Sequence, residues 1–400
     1  DECIFYIFYI LFSFPLIFNE TVLFINIVHT DFISYFFNYF YGKKKYMLIN
    51  IRLYSQQLTE PTFDTPKEIV SWMGAIQAQN YNMAKWAISI RLKHVTDNII
   101  EKAFQQGEIL RMHILRPTWH FIIAEDIHWM LKLSAQRIKS ANESFGKNLE
   151  ITEKLYTKCN RLIEKHLTGN NHLTKQEIGD ILKKENIKTD IPRLNRFLIR
   201  AETEKIICSG INKGNKQTYA LLNERVSPAK EITKDEALAK LANKYFQSHS
   251  PATLEDFTWW SGLSVTEARQ AIDYINSSLL KEQLDNQKEI FIHESYSNKN
   301  LPQKNILHFL PSFDEYLISY KDRSEVLNEK YRAMAFNNYG TFYPVILYNG
   351  KISGNWKLLR NKSGITIKTS FFEKTTSINQ HLIENAEKRY KQFIDSFSTT

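Results

Sequence analysis

The chain has 400 residues, with 52 Lys and Arg against 43 Asp and Glu and a formal net charge of +9. That length exceeds one ordinary hydrophobic core and predicts roughly two to four packed units; 43% hydrophobic and 24% charged residues exclude a wholly disordered chain and a polytopic membrane protein. The positive balance favours a polyanionic partner, nucleic acid first, although many folded proteins are mildly basic without binding DNA.

Residues 1–46 are dominated by Phe, Ile and Tyr, and this composition stops at Met47. The apolar run from Cys3 to Phe18 is short for a spanning helix, contains Pro15 and is followed by Asn19 and Glu20, so it makes a poorly formed membrane anchor. An acidic start and the lack of small residues fit a secretory leader badly. We expect residues 1–46 to be translated upstream sequence outside the functional fold.

Cys3, Cys159 and Cys208 form no CxxC pair, and the eleven His include no HExxH. No metal site and no cofactor are expected, and a reducing compartment fits, which points to a cytoplasmic, nucleoid-associated protein.

From Met47 the sequence repeats one order of elements: helix, second helix, then two short strands about a polar loop. In the first copy Thr65 and Pro66 cap and open a helix PKEIVSWMGAIQ with Ile69, Trp72, Met73 and Ile76 at helical spacing. Thr96 caps VTDNIIEKAFQQ, Gly107 ends it, and ILRMHI and TWHFII read as strands joined through Arg116 and Pro117. In the second copy Thr174 precedes KQEIGDILKKEN, then come a basic helix from Pro192 and a hairpin with Gly214 and Asn215 near its tip. The third runs through KDEALAKLANKYFQSH, TLEDFTWWSGL and SVTEARQAIDYINSSL, with Thr253 and Ser264 as N-caps, and closes with LLKEQLD and EIFIHES.

Beyond about residue 300 the pattern turns to strands, with an Asn349-Gly350 pair suited to a type I′ hairpin and a terminal amphipathic helix. The expected fold is α+β: three tandem winged-helix units followed by a small C-terminal antiparallel β-barrel or sheet with a terminal helix. The expected boundaries are 47–168, 169–230 and 231–300 for the winged helices and 301–400 for the strand-rich domain.

Winged-helix units hold DNA with a helix in the major groove and a wing at the backbone. Arg193, Arg196 and Arg200 recur at helical spacing, and Lys213 and Lys216 on the next hairpin extend the same patch; a solvated basic face is the alternative. In the first copy Arg111, Arg116 and His120 lie on or between the strands, beside Trp119, which either stacks on a base or fills a core. Strand alternation puts Trp119 and His120 on opposite faces, so one of them should face outward.

The stretches WMGAIQAQNYNMAKWAISIRL, LRPTWHFIIAEDIHWML, ANKYFQSHSPATLEDFTWWSGLS and LPSFDEYLISYKDR occur here in that order. They resemble the winged-helix family of bacterial crosslink-repair and alkylpurine DNA glycosylases, over roughly residues 50 to 360. The resemblance implies a basic channel for double-stranded DNA. It also implies that the family's Gln-x-Gln motif falls on Gln77, Ala78 and Gln79, giving Gln77 and Gln79 the catalytic role. An N7-alkylated purine is already cationic and leaves without protonation, so a neutral amide can hold the attacking water and present a dipole to the sugar cation. Side chains two apart on a helix diverge, so joint action requires the helix to end or distort near Asn80.

In PSFDEYLISYKDR the resemblance implies a structural junction. Asp314 is expected to be a hydrogen-bonded structural carboxylate, and Lys321 and Arg323 to touch DNA backbone. The leading expectation is a monomeric monofunctional glycosylase for cationic N7-alkylated or crosslinked purines, with no membrane contact unless residues 1–46 are an anchor. The alternatives are a non-catalytic DNA-binding protein or regulator, and winged helices that serve as protein-interaction modules.

Overall fold

The structure is a computed structural model that describes residues 47–395 apart from 95, 285–287, 298–300, 302–304, 362–363 and 374–377. The expectation about residues 1–46 lies outside the described residues. The chain divides into two units, 1–48 and 49–400, and the secondary structure from Ile49 onward belongs to the second.

After a helical stretch over 49–55, α1 (Pro66–Met73) begins on a reciprocal cap: the Thr65 hydroxyl accepts from the Glu68 N–H, and the Glu68 carboxylate accepts from the Thr65 N–H. The helix stops at Gly74, whose φ of 75° has little steric cost only without a Cβ. This corrects the expected helix through Gln77. Past Gly74 the chain is extended, and β1 (Ile76–Gln77) pairs antiparallel with β3 (Trp119–Ile123), Ile76 opposite Phe121 and Gln77 opposite His120. Between them come α2 (Tyr81–Ser89), α3 (Asp97–Gln105) and β2 (Ile109–His113), and the sheet order is β1-β3-β2.

The long α4 (Ile127–Phe145) leads to α5 (Glu153–Leu167) and the second set: β4 (Leu173–Thr174), α6 (Lys175–Lys184), α7 (Ile191–Thr203), β5 (Ile207–Ser209) and β6 (Thr218–Leu221). Its hairpin turns at Gly214, where Lys213 bridges Lys216. After the short α8 (Leu222–Arg225), the third set is α9 (Lys234–His249), α10 (Leu254–Ser261), α11 (Val265–Tyr274), β7 (Leu279–Gln283) and β8 (Glu289–His293). Thr253 and Ser264 both cap as expected, each reciprocally with an acidic residue three positions on.

The C-terminal part contains β9 (Leu307–Leu310), α12 (Glu315–Ile318), α13 (Arg332–Ala335), β10 (Val345–Tyr348), β11 (Lys351–Asn361), β12 (Gly364–Phe371) and α14 (Gln380–Asp395). Asn349 and Gly350 both have positive φ, 45° and 80°, as a type I′ hairpin between β10 and β11 requires. Of the two expected forms, barrel and sheet, the described strands make an open antiparallel sheet in the order β12-β11-β10-β9, so the barrel is corrected. The sheet buries its apolar face against other elements instead of closing on itself. Trp86 of α2 packs edge-on at 4.9 Å against Tyr390 of α14, and Tyr390 meets Trp356 of β11 at 4.8 Å. The indole N–H groups of Trp86 and Trp356 donate to the carbonyls of Phe309 and Leu310 at 2.6 and 2.7 Å. The first segment and the C-terminal sheet therefore share one core.

Asp314 is the structural carboxylate expected: it takes both terminal nitrogens of Arg91, at 2.9 and 2.8 Å, with both side chains essentially inaccessible. Among the described residues no helix is long and apolar enough to cross a membrane.

Candidate active site

The extended run after Gly74 removes the geometric difficulty of the glutamine pair, since alternate residues of an extended chain lie on one side. The two amides nevertheless have different surroundings. Gln77 is only 5% exposed, and its Oε1 accepts from Arg116 Nη2 at 2.7 Å. Ala78 N–H donates to the Trp119 carbonyl at 2.7 Å. Gln79 is exposed, and its Oε1 accepts from the Trp119 N–H at 3.3 Å. Asn80 then caps α2 by accepting from the Met83 N–H, which turns the chain away.

Behind Gln77 lies a carboxylate that sequence reasoning does not assign to the site. Glu315, at the start of α12, is 1% exposed and accepts the Gln77 backbone N–H at 2.5 Å. The Ser319 hydroxyl also donates to it, and His249 Nε2 stands 3.8 Å away. Burial alone would raise its pKa, but the contacts with His249, Ser319 and the Gln77 N–H outweigh burial and hold it at about 2. Glu315 is thus an ionised anchor that pins β1 through its backbone. Burial lowers the pKa of Arg116, and the Glu315 charge opposes that shift.

The sequence pattern places His120 at the DNA. It is instead fully buried, its Nδ1 lies 3.0 Å from the Thr118 carbonyl, and burial followed by the Arg116 charge pushes its pKa down to about 3. This is a correction: the face of β3 that carries His120 is turned into the protein, where the Arg116 and Glu315 charges act on the ring. Of the two, Trp119 is the partly exposed one; the Arg111 guanidinium lies 4.2 Å from its ring and the His113 ring 4.0 Å.

Arg111, expected at the DNA, is a further correction: it is 7% exposed, its guanidinium donors are taken by the protein, and it holds the glutamine segment from below. Its Nε donates to the Ala78 carbonyl at 2.9 Å, Nη2 reaches the Gln79 carbonyl at 3.5 Å, and Nη1 donates to Gln217 of the second hairpin. The same hairpin reaches α2 through Asn212, whose amide donates to the Tyr81 hydroxyl at 3.1 Å. His113, two residues on, gives Nδ1 and its backbone N–H to Glu202 of α7, at 2.6 and 3.1 Å. The alternation Arg111-x-His113 is a usable signal for this shared face; nothing in the sequence points to Glu202.

The remaining basic residues divide. The hairpin bearing Lys213 and Lys216 sits beside the glutamine segment, with Lys216 exposed and Lys213 paired to Glu177 at 2.9 Å. Lys321 and Arg323 reach the site through Trp259, whose carbonyl accepts from Arg116 Nη1 at 3.4 Å, and whose ring lies 4.7 Å from Lys321 Nζ and 5.7 Å from the Arg323 guanidinium. On α7, Arg193 pairs with Asp190 at 2.6 Å, and Arg196 packs 5.7 Å from the Phe145 ring. Arg200 is 6% exposed and ion-paired with Glu143, Glu153 and Glu204. Its expected phosphate contact is corrected, because three carboxylates already surround the guanidinium.

No curated protein matches the sequence at significant similarity. Among solved structures, the DNA glycosylase AlkZ of Streptomyces sahachiroi superposes with a TM-score of 0.72 over 87% of this chain and 96% of that one, at 18% identity, a likeness of fold. The profile of the AlkZ-like DNA glycosylases matches residues 70–393, the span that contains Gln77, Gln79 and the shell around them. With most of its length covered by that match, the chain belongs to the AlkZ-like DNA glycosylase family.

Proposed function

We propose that this protein is a monofunctional DNA glycosylase that releases cationic N7-alkylated or crosslinked purines from double-stranded DNA. In this reading Gln79 faces the reacting sugar and Gln77 orders the segment behind it. The three helix and strand-pair sets, 47–168, 169–230 and 231–300, are winged helices that hold the duplex, with the strand-rich 301–400 beside them.

The observation that carries the proposal is a solvent-facing neutral amide, Gln79, which accepts from the Trp119 N–H at 3.3 Å on a segment held by Arg111 through the Ala78 carbonyl. Glu315 is ionised, with its pKa near 2, and His120 stays neutral, with its pKa near 3. Burial, and next the Glu101 charge, raise the Tyr81 phenol far above its usual range. A neutral purine needs an acid to leave, whereas an N7-alkylated purine carries its own positive charge. Gln79 can then act by holding water and by aiming its dipole at the sugar cation.

The test compares release of 7-methylguanine with release of hypoxanthine from otherwise identical duplexes. The expected outcome is a rate at least about 100-fold higher for the cationic base, the size of one well-placed electrostatic contact. Comparable rates for both would place an acid in the site and end the proposal.

A further inference from the structure

Arg116 links the glutamine segment to a second concavity. Trp259, at the end of α10, is 38% exposed, and its Nε1–H donates to the Ile318 carbonyl at 2.8 Å, which fixes the ring. Lys321 and Arg323 lie over that ring. Arg323 is also 4.9 Å from the Phe336 ring, and Arg332 is 5.2 Å from the same ring. Shared aromatic rings therefore draw three cations around one cavity of about 400 Å³.

Two carboxylates line it as well. Asp322 is taken by Lys288 at 2.8 Å, and Glu329 stands 3.8 Å from Arg332. With both pairs counted as neutral, Lys321 and Arg323 stand against the buried Asp256, which accepts the Lys321 backbone N–H at 2.7 Å, and the balance stays positive. Arg323 gives Nε to the Leu317 carbonyl at 2.7 Å and Nη1 to the Lys321 carbonyl at 3.2 Å, while its buried Nη2 has no hydrogen-bond partner among the described residues. Burial, and then the neighbouring charges of Arg52, Arg116 and Arg332, lower its pKa to about 10, opposed by Asp256. An anion seated there would relieve both the unmet donor and the crowded positive charge.

We propose that this cavity is a phosphate pocket: a backbone phosphodiester of the DNA, next to the lesion, sits among Lys321, Arg323 and Arg332, with Trp259 as its wall. The polyanion's identity as DNA, and its register at the lesion, rest on the glycosylase reading. The pocket thereby fixes the strand relative to Gln79 through Trp259, Arg116 and Gln77.

The test uses the full chain and the double variant Lys321→Gln/Arg332→Gln, both side chains being exposed; an unchanged thermal midpoint checks the fold. On undamaged duplex, between 50 and 200 mM salt, the slope of log affinity against log salt should fall in magnitude by about 1, the value for one phosphate contact. On a duplex with a tetrahydrofuran abasic-site analogue, a single neutral methylphosphonate is moved along each strand. At one linkage it should weaken the wild type about fivefold to tenfold and leave the variant unaffected. An unchanged salt slope, or methylphosphonate losses equal in both proteins at every linkage, overturns the pocket. The slope requires no base release, so a failure of the repair chemistry would show separately, as a tetrahydrofuran duplex bound no better than undamaged DNA.

Discussion

Gln77 and Gln79 are two residues apart, yet their surroundings give them separate work. Gln77 is enclosed, with its backbone on Glu315 and its side chain on Arg116, whereas Gln79 keeps its amide at the surface with one long hydrogen bond from Trp119. The tripeptide itself is legible in the sequence, but this division is not, because Glu315 and Arg116 reach it from 238 and 39 positions away. Titratable groups in the interior also set a pH dependence, His120 and Glu315 beside the pair and His308 on β9, whose Nε2 lies 2.6 Å from the Leu58 carbonyl. The folded pKa values of His120 and of His308 are depressed from 6.5 to about 3, so the folded state binds fewer protons than the unfolded one below pH 6.5. Glu315, depressed from 4.5 to about 2, adds the same sign at lower pH. Stability from these groups is complete at neutral pH and declines as pH falls from about 6.5 toward 3. Thermal midpoints measured from pH 7.5 to 4 should fall continuously, and a flat profile would refute these assignments.

At the scale of elements, the caps carry most of the legible signal. Thr65, Thr174, Thr253 and Ser264 each make the reciprocal cap that a hydroxyl followed three residues later by an acid encodes, whereas Thr96 opens α3 without a side-chain cap bond. The end of α1 is hidden in the sequence because Ile76 continues the helical spacing of Ile69, Trp72 and Met73, and a strand of two residues has no period of its own. Helical spacing likewise groups Arg193, Arg196 and Arg200 as one surface; the neighbouring α5 and α4 supply Glu153 and Glu143, which take Arg200 out of it. Arg200→Gln should therefore lower the thermal midpoint and leave the salt slope of duplex binding unchanged. Lys216→Gln should do the reverse, reducing the slope by about 1 if its side chain meets one phosphate. Measuring both slopes together checks the assignment, and a reduced slope for Arg200→Gln alone would overturn it.

Across the whole molecule, the site is assembled from parts far apart in the chain. Arg111 of the first set is tied to Gln217 of the second, Gln77 to Glu315, and Arg116 to Trp259 of the third. Local pattern cannot reveal such pairings, which form only when the sets pack together; the order of the sets and the antiparallel C-terminal strands, by contrast, follow from periodicity and turn residues. The assembly leaves the uncharged side chain of Gln79 exposed on a segment fixed by Arg111, Glu315 and Trp119. The decisive experiment is single-turnover release of 7-methylguanine by wild type and Gln79→Ala, with duplex affinity measured on the same preparations. Release should drop by about 100-fold or more while affinity stays within about threefold, as for the removal of one preorganised polar contact. A folded, DNA-bound Gln79→Ala protein that released the base at the wild-type rate would remove Gln79 from the chemistry.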